Sequence, residues 1–153
     1  MPLVIEREPA DSAEAIRVLS ERDAELGALY APEDSFRIPV GEHVSENILF
    51  LMARENGVPV GCGALALYRG YAELKSIYVT PEARGRKLGA EIVGALERLA
   101  QASGFSDVKL ETGIHSPAAI RTYETLGYRQ CERFGDYPDA PLSIFMEKRL
   151  TTI

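Results

Sequence analysis

The spacing of hydrophobic positions changes several times along this chain, and each change marks an element. Residues 3–8 alternate weakly and predict a short first strand, which Pro9 ends. Asp11 or Ser12 can cap a helix whose apolar side is Ala15, Ile16, Leu19, Leu26 and Leu29, with Gly27 weakening its far end. Between residues 30 and 45, Pro32, Pro39 and Gly41 break any long element. That stretch predicts a loop with one helical turn, anchored by Phe36, Ile38 and Val40. Loops this long inside a compact domain are often functional. Residues 47–54, 58–68 and 71–79 then read as three strands of a meander, turned at Glu55-Asn56-Gly57 and at Arg69-Gly70.

Thr80-Pro81-Glu82 leads out of the meander into Arg84-Gly85-Arg86-Lys87-Leu88-Gly89-Ala90. Leu88, Ile92, Leu96 and Leu99 follow at helical spacing to about Ser103, and Gly104 is the stop. Residues 107–112 set Val108 and Leu110 against Lys109 and Glu111, a strand. A strand–helix–strand crossover makes the strands on either side of the long helix parallel neighbours. Ser116-Pro117 offers an N-cap and a first-turn proline, and Ala119, Ile120, Tyr123 and Leu126 share a face of the helix that Gly127 ends. Residues 128–134 and 142–150 read as the last two strands, with a turn-rich loop between them. The pattern is α+β: a mixed, mostly antiparallel sheet flanked by helices.

Charge sharpens one part of this picture. The net charge is −6, so the overall field repels nucleic acid and anionic membranes. Against that background Arg84, Arg86 and Lys87 are a local basic exception, suited to a small anion. They sit between a strand and a helix start, where backbone N–H groups lack acceptors and the macrodipole adds positive potential. Gly85 and Gly89 let the backbone come close to a ligand. We expect this turn to hold the pyrophosphate of a coenzyme; the alternative is a solvated surface cluster. The 153 residues suit one domain, 1–153, with no metal. Cys62 and Cys131 lack the spacing of a zinc site or disulfide framework. Glu6, Arg7 and Glu8 stand where a signal peptide would be apolar, and no apolar run reaches spanning length. Free thiols and this start predict a cytoplasmic protein.

The order strand, helix, meander, basic glycine turn, long helix, strand, short helix, two strands resembles the GNAT superfamily of acyl-CoA-dependent N-acetyltransferases. Arg84-Gly85-Arg86-Lys87-Leu88-Gly89 is similar to that family's pyrophosphate motif, with Lys87 where a middle glycine is usual. Lysine still supplies the backbone N–H, and the departure matters if position 87 needs positive φ. The segment from Ala119 to Tyr128 resembles the family's later tyrosine-bearing helix, with Ser116 where the family often has Asn.

The resemblance implies a sheet of about seven strands with a splayed parallel pair, and acetyl-CoA as cosubstrate. It places the pantetheine and thioester against backbone groups of Ile77, Tyr78 and Val79, with Ser116 and Ala119 alongside. It places the pyrophosphate on Arg84, Gly85, Arg86, Lys87, Leu88, Gly89 and Ala90. Tyr123 becomes the general acid for the leaving thiolate, although spacing alone makes it a core aromatic. Glu73 becomes the base for the acceptor amine, directly or through water. Period-two geometry puts Glu73 on the face of Lys75 and Ile77, and the plain alternative is a solvated Glu73–Lys75 pair. Tyr137 and Asp139 lie in the loop that borders the acceptor site in the family. Cys62 reads as a buried thiol, since neither His43 nor His115 is tied to it, and His115 as a surface histidine. The reaction implied is direct attack of a primary amine, with no nucleic-acid or membrane partner. Residues 142–150 are an edge at which two copies could pair. The rival readings are an acyl-CoA-binding module without turnover and a nucleotide-phosphate enzyme. The absence of G-x-x-x-x-G-K-[ST] and G-x-G-x-x-G argues against the latter.

Overall fold

A computed structural model describes residues 2–151. The strands are β1 (Leu3–Arg7), β2 (Ile48–Glu55), β3 (Val58–Leu67), β4 (Ala72–Val79), β5 (Asp107–Gly113), β6 (Arg129–Gln130) and β7 (Ser143–Arg149). The helices are α1 (Ala13–Leu29), α2 (Leu88–Ala102) and α3 (Pro117–Thr125). The strands form one sheet in the order β1-β2-β3-β4-β5-β7-β6. Only β4 and β5 run parallel, as the α2 crossover requires. The fold class is as the pattern predicts.

Alternation in β2 sends its side chains to two cores. Leu51 and Ala53 join Ile92, Val93 and Leu96 of α2, while Phe50 and Met52 join Ala15, Val18 and Leu19 of α1. Ser12, rather than Asp11, caps α1: its Oγ accepts the Ala15 N–H at 3.1 Å. On β3, a Cβ at Gly61 would lie 2.6 Å from the Tyr78 carbonyl oxygen and 2.9 Å from Ile92. At Gly63 it would meet only the side-chain ends of Ile92 and Leu96, at 2.7 and 2.9 Å, before anything else. These glycines let α2 lie against the sheet.

The feature that positions the site is a kink in β4. Ser76 has φ 58°, and the β3–β4 register shifts between Cys62 and Ala64 opposite it. The extra residue inverts the strand's alternation. Leu74 and Ile77 therefore pack on the same core, while Tyr78 turns to the α1 side. This corrects the period-two expectation: Ile77 does not share the face of Glu73 and Lys75. The β4–β5 pairing also stops at Leu74↔Leu110, whereas β5 stays paired with β7 as far as Gly113↔Ser143. The two parallel strands splay from that rung onward.

Three other expectations change. Residues 30–45 contain two short 3-10 turns, Pro32–Asp34 and Val40–Val44, rather than one. Residues 128–134 are not a full strand. After Arg129–Gln130 the Cys131 N–H makes one more ladder-like bond to the Phe145 carbonyl, at 2.8 Å. The chain then bends, because Phe134 gains more by packing among Tyr71, Tyr137 and Phe145, at ring-centroid distances of 5.4–5.5 Å. Finally, β7 lies between β5 and β6, so residues 142–150 are not the sheet edge at which two copies could pair.

Gly61→Ala should lower stability by about 1–3 kcal/mol, since a backbone oxygen stands in the way of the new methyl. Gly63→Ala should cost less, because only flexible side-chain ends must move. Thermal melts of the two variants against the parent test this ordering.

Candidate active site

Ser76 is held in its left-handed conformation by two side chains from elements on the α1 side. Its Oγ accepts from the Arg22 guanidinium at 2.5 Å and donates to His43 Nε2 at 2.6 Å. The His43 Nδ1–H in turn faces the Pro39 and Val40 carbonyls, at 3.0 and 3.1 Å. This network admits one tautomer, with Nε2 as acceptor. Arg22 and His43 are both almost fully buried. Arg22 is balanced by Asp23 at 2.6 Å and bonds the Ile38 carbonyl at 2.9 Å. Burial, and then the Arg22 charge, hold the His43 imidazole below its ordinary pKa, so it stays neutral.

Where β4 and β5 part, a cavity of about 170 Å³ opens. Ser76 and Ile77 wall it on one side, Glu111 and Gly113 on the other, and Tyr123 of α3 faces the gap. Ser116 and Ala119 also line it. Tyr123 is 9% exposed, and its hydroxyl makes no hydrogen bond among the described residues. Burial, with help from the Glu111 charge, pushes its phenol up to about 12. Such a group keeps its proton throughout the neutral range and has it free to give.

Ser116 does not cap α3 through its side chain. Its Oγ lies 2.9 Å from the Tyr30 hydroxyl, which also accepts the His115 N–H at 3.0 Å. Tyr30 closes over Gly113, where a Cβ would fall 2.1 Å from the phenol oxygen. His115 itself is exposed, its ring tilted against Tyr30.

Glu73 is not a solvated partner of Lys75. It is 2% exposed, receives a short hydrogen bond from the Tyr137 hydroxyl, and has Lys75 Nζ 3.4 Å away. Lys75 also donates to the Tyr137 oxygen at 2.6 Å. Burial and the Glu73 charge raise the Tyr137 phenol pKa. Glu73 is not among the walls of the cavity. Asp139 is exposed. Cys62 is fully buried, donates to the Ser76 carbonyl at 3.3 Å, and burial pushes its thiol up to about 12, which suits no nucleophile.

The basic turn lies past the end of β4 and does not line the cavity. Gly89 packs near Val79, a Cβ there lying 3.9 Å from Val79 Cγ2. Gly85 has φ 84° and Lys87 φ 63°. Position 87 thus adopts the left-handed conformation that glycine takes freely and lysine takes at roughly 1–2 kcal/mol. The first bond into the turn from α2 runs from Glu91 N–H to the Lys87 carbonyl at 3.2 Å. The N–H groups of Leu88, Gly89 and Ala90 precede it and have no acceptor within the helix. Arg84 pairs with Glu25 at 2.6 Å and Arg86 with Glu55 at 2.6 Å, both partly exposed, while Lys87 has no ion-pair partner among the described residues.

A parallel strand pair that splays beside a tyrosine-bearing helix, with a glycine-bearing basic turn before the long helix, is the architecture that the sequence resemblance implied. The sequence profile described as the acetyltransferase (GNAT) family matches residues 14–128. The chain belongs to the acetyltransferase (GNAT) family. An IAA acetyltransferase from Azospirillum brasilense is 38% identical, covering 98% of this chain and all of that protein. A proposed acyl-CoA N-acyltransferase from Klebsiella pneumoniae is 34% identical with a TM-score of 0.83, covering 97% of this chain and 98% of that one. The PaiA N-acetyltransferase of Thermoplasma acidophilum, solved in complex with coenzyme A, shares the fold at TM-score 0.73 and 18% identity, over 97% and 99% of the two chains. The protein is an acyltransferase, and acetyl transfer from acetyl-CoA to an amine is the general GNAT reaction. Among the described residues no helix is long and apolar enough to cross a membrane. No group of three or more His, Cys, Asp or Glu side chains among them is placed to hold a metal ion.

Arg22, Tyr30, His43 and Glu111 were not singled out by sequence. Only Arg22 left a trace: it falls within the apolar stripe of α1, three residues from Leu19 and four from Leu26. In the unfolded chain His43 titrates near 6.5, and in the folded chain lower. Between those values the unfolded state binds the extra proton, so stability is full above about pH 6.5 and falls below it. Thermal melts between pH 5 and 7.5 should show that slope, and His43→Gln should flatten it.

Proposed function

We propose that this chain, acting as one domain over 1–153, moves an acetyl group from acetyl-CoA to a primary amine by direct attack. The observation that carries this reading is the cavity at the β4–β5 splay, where Ile77 of the unpaired strand and the Tyr123 phenol line one space. Past Leu74 the stretch Ile77, Tyr78 and Val79 has lost β5 as a neighbour; Tyr78 stays paired with Cys62 of β3, and the Val79 carbonyl accepts from the Arg84 guanidinium at 3.0 Å. The backbone groups of this stretch that face the gap, those of Ile77 and the Val79 N–H, are the donors and acceptors for the pantetheine amides and the thioester carbonyl, with Ser116 and Ala119 flanking the arm. A preorganised donor at a developing oxyanion is worth a few kcal/mol.

The pyrophosphate rests on the N–H groups between Gly85 and Ala90. Arg84, Arg86 and Lys87 supply the charge, the two arginines shared with Glu25 and Glu55. Tyr123 gives its proton to the leaving thiolate, whose pKa is roughly 8.5 by analogy with cysteine. With the phenol held near 12, full transfer to the thiolate is uphill on its own, so the proton moves as the C–S bond breaks and the acylated nitrogen at once returns one to the phenolate, and the phenol serves as an acid without being consumed. Glu73, with Tyr137 and Lys75, forms the charged floor of the acceptor side.

Thiol release measured over a panel of amines, with saturating acetyl-CoA, tests the reading. Tyr123→Phe should lower kcat by about 10²–10⁴-fold while leaving coenzyme A affinity unchanged. Turnover by the variant at the parent's rate would remove Tyr123 from the chemistry. Tight coenzyme binding with no turnover on any amine would favour a non-catalytic acyl-CoA-binding role.

A further inference from the structure

Acceptor amines arrive at neutral pH mostly as ammonium ions, so a proton must leave before attack. Two carboxylates stand near the splay, and their settings differ. Glu73 precedes the last paired residue of β4, Leu74, and is closed in by the Tyr137 hydroxyl and Lys75. Glu111 follows Leu110, the last residue of β5 paired with β4, and so lines the gap as those two strands part. It lines the cavity that Tyr123 faces. The Ser143 hydroxyl donates to its Oε2 at 2.7 Å, and its Oε1 has no hydrogen-bond partner among the described residues.

We propose that Glu111 is the catalytic residue that receives the acceptor's primary ammonium in this gap and takes its proton. The proposal rests on the acetyl-transfer reading above. R–NH3⁺ gives one proton to the Glu111 carboxylate. The freed lone pair forms the N–C bond at the thioester carbonyl, whose π electrons move to oxygen. When the C=O reforms, the C–S bond breaks and the thiolate takes the Tyr123 proton. The tyrosinate then takes the second proton from the acylated nitrogen. Glu111 releases its own to solvent, so one proton leaves per turnover.

The surroundings suit a base that works near neutral pH. Burial holds the Glu111 carboxyl above the usual carboxylate range, and the Glu73 charge on β4 acts in the same direction. The Ser143 hydrogen bond from β7 and the Lys75 charge on β4 pull it down. Tyr123 of α3 faces it as a neutral phenol. Across the cavity stand Arg22 of α1 and, from the following loop, Asp34 and Arg37.

The experiment compares the parent, Glu111→Gln, Glu73→Gln and Ser143→Ala. It uses the alkyl amine the parent acetylates fastest, from a panel of amino acids, polyamines, arylalkyl amines and a lysine peptide. The readouts are the pH profile of kcat/KM and coenzyme A affinity. Glu111→Gln should lower kcat/KM at pH 7 by about 10²–10⁴-fold and lose the acidic limb. The loss should shrink by at least about tenfold near pH 10, where about a quarter of an alkyl amine is already neutral. Coenzyme A affinity should not change. Ser143→Ala should move the acidic limb to higher pH, because the hydrogen bond it removes favours the charged carboxylate.

A Glu111→Gln enzyme that keeps the parent's profile would overturn the proposal, as would loss of the limb in Glu73→Gln alone. If Glu111→Gln no longer binds coenzyme A, the Ser143→Ala limb decides: a shift supports the assignment and an unmoved limb overturns it. A parent that releases no thiol with any amine overturns the acetyl-transfer reading itself, and Glu111 with it. Turnover by the parent with an unaffected Glu111→Gln overturns only the Glu111 assignment.

Discussion

The site depends on one half-buried hydroxyl. Ser76 holds a backbone conformation that costs a non-glycine residue on the order of 1–3 kcal/mol. A hydrogen bond from a charged donor is worth about 1.5–3 kcal/mol, so the Arg22 contact alone is of the right size to offset it. The His43 contact adds to this and orients the hydroxyl proton. Without the kink, β4 would continue its ladder beside β5. Tyr78 would then point where Ile77 does, and no gap would exist for Tyr123 to face. The polar network that holds the kink thus also walls the cavity, with Arg22 and Ser76 both lining it.

Much of the fold was legible because it rests on local patterns. The meander, the crossover and the three helices follow from hydrophobic period and punctuation, and their observed bounds differ from the expected ones by a few residues at most. Residues 128–134 misled because Phe134 and Tyr128 look like strand positions. The aromatic cluster around Tyr137 and Phe145 draws Phe134 out of the ladder, and that is a tertiary effect. The position of β7 inside the sheet is likewise a matter of which strand pairs with β5. Chain order does not reveal it.

The site was legible where the chain carries a motif and illegible where a kink decides. The basic turn stands out by residue type and spacing, and Tyr123 through the resemblance of its helix to the family's. Glu73 drew attention through the resemblance, and strict alternation set Ile77 beside it on a strand that does not alternate strictly. One left-handed residue shifts the phase, and nothing in Lys75-Ser76-Ile77 announces it. Glu111 looked like one polar position of an alternating strand. Its place in the cavity wall follows from the parting of β4 and β5, which only the assembled sheet displays.

Helix α1 touches both halves of the site. Arg22 reaches Ser76, and Glu25, three residues on and so on the same side, grips Arg84 at the mouth of the anion turn. A single turn of helix therefore serves as a ruler. It sets how far the basic turn lies from the kink and the cavity beside it, much as the two jaws of a gauge are held by one bar.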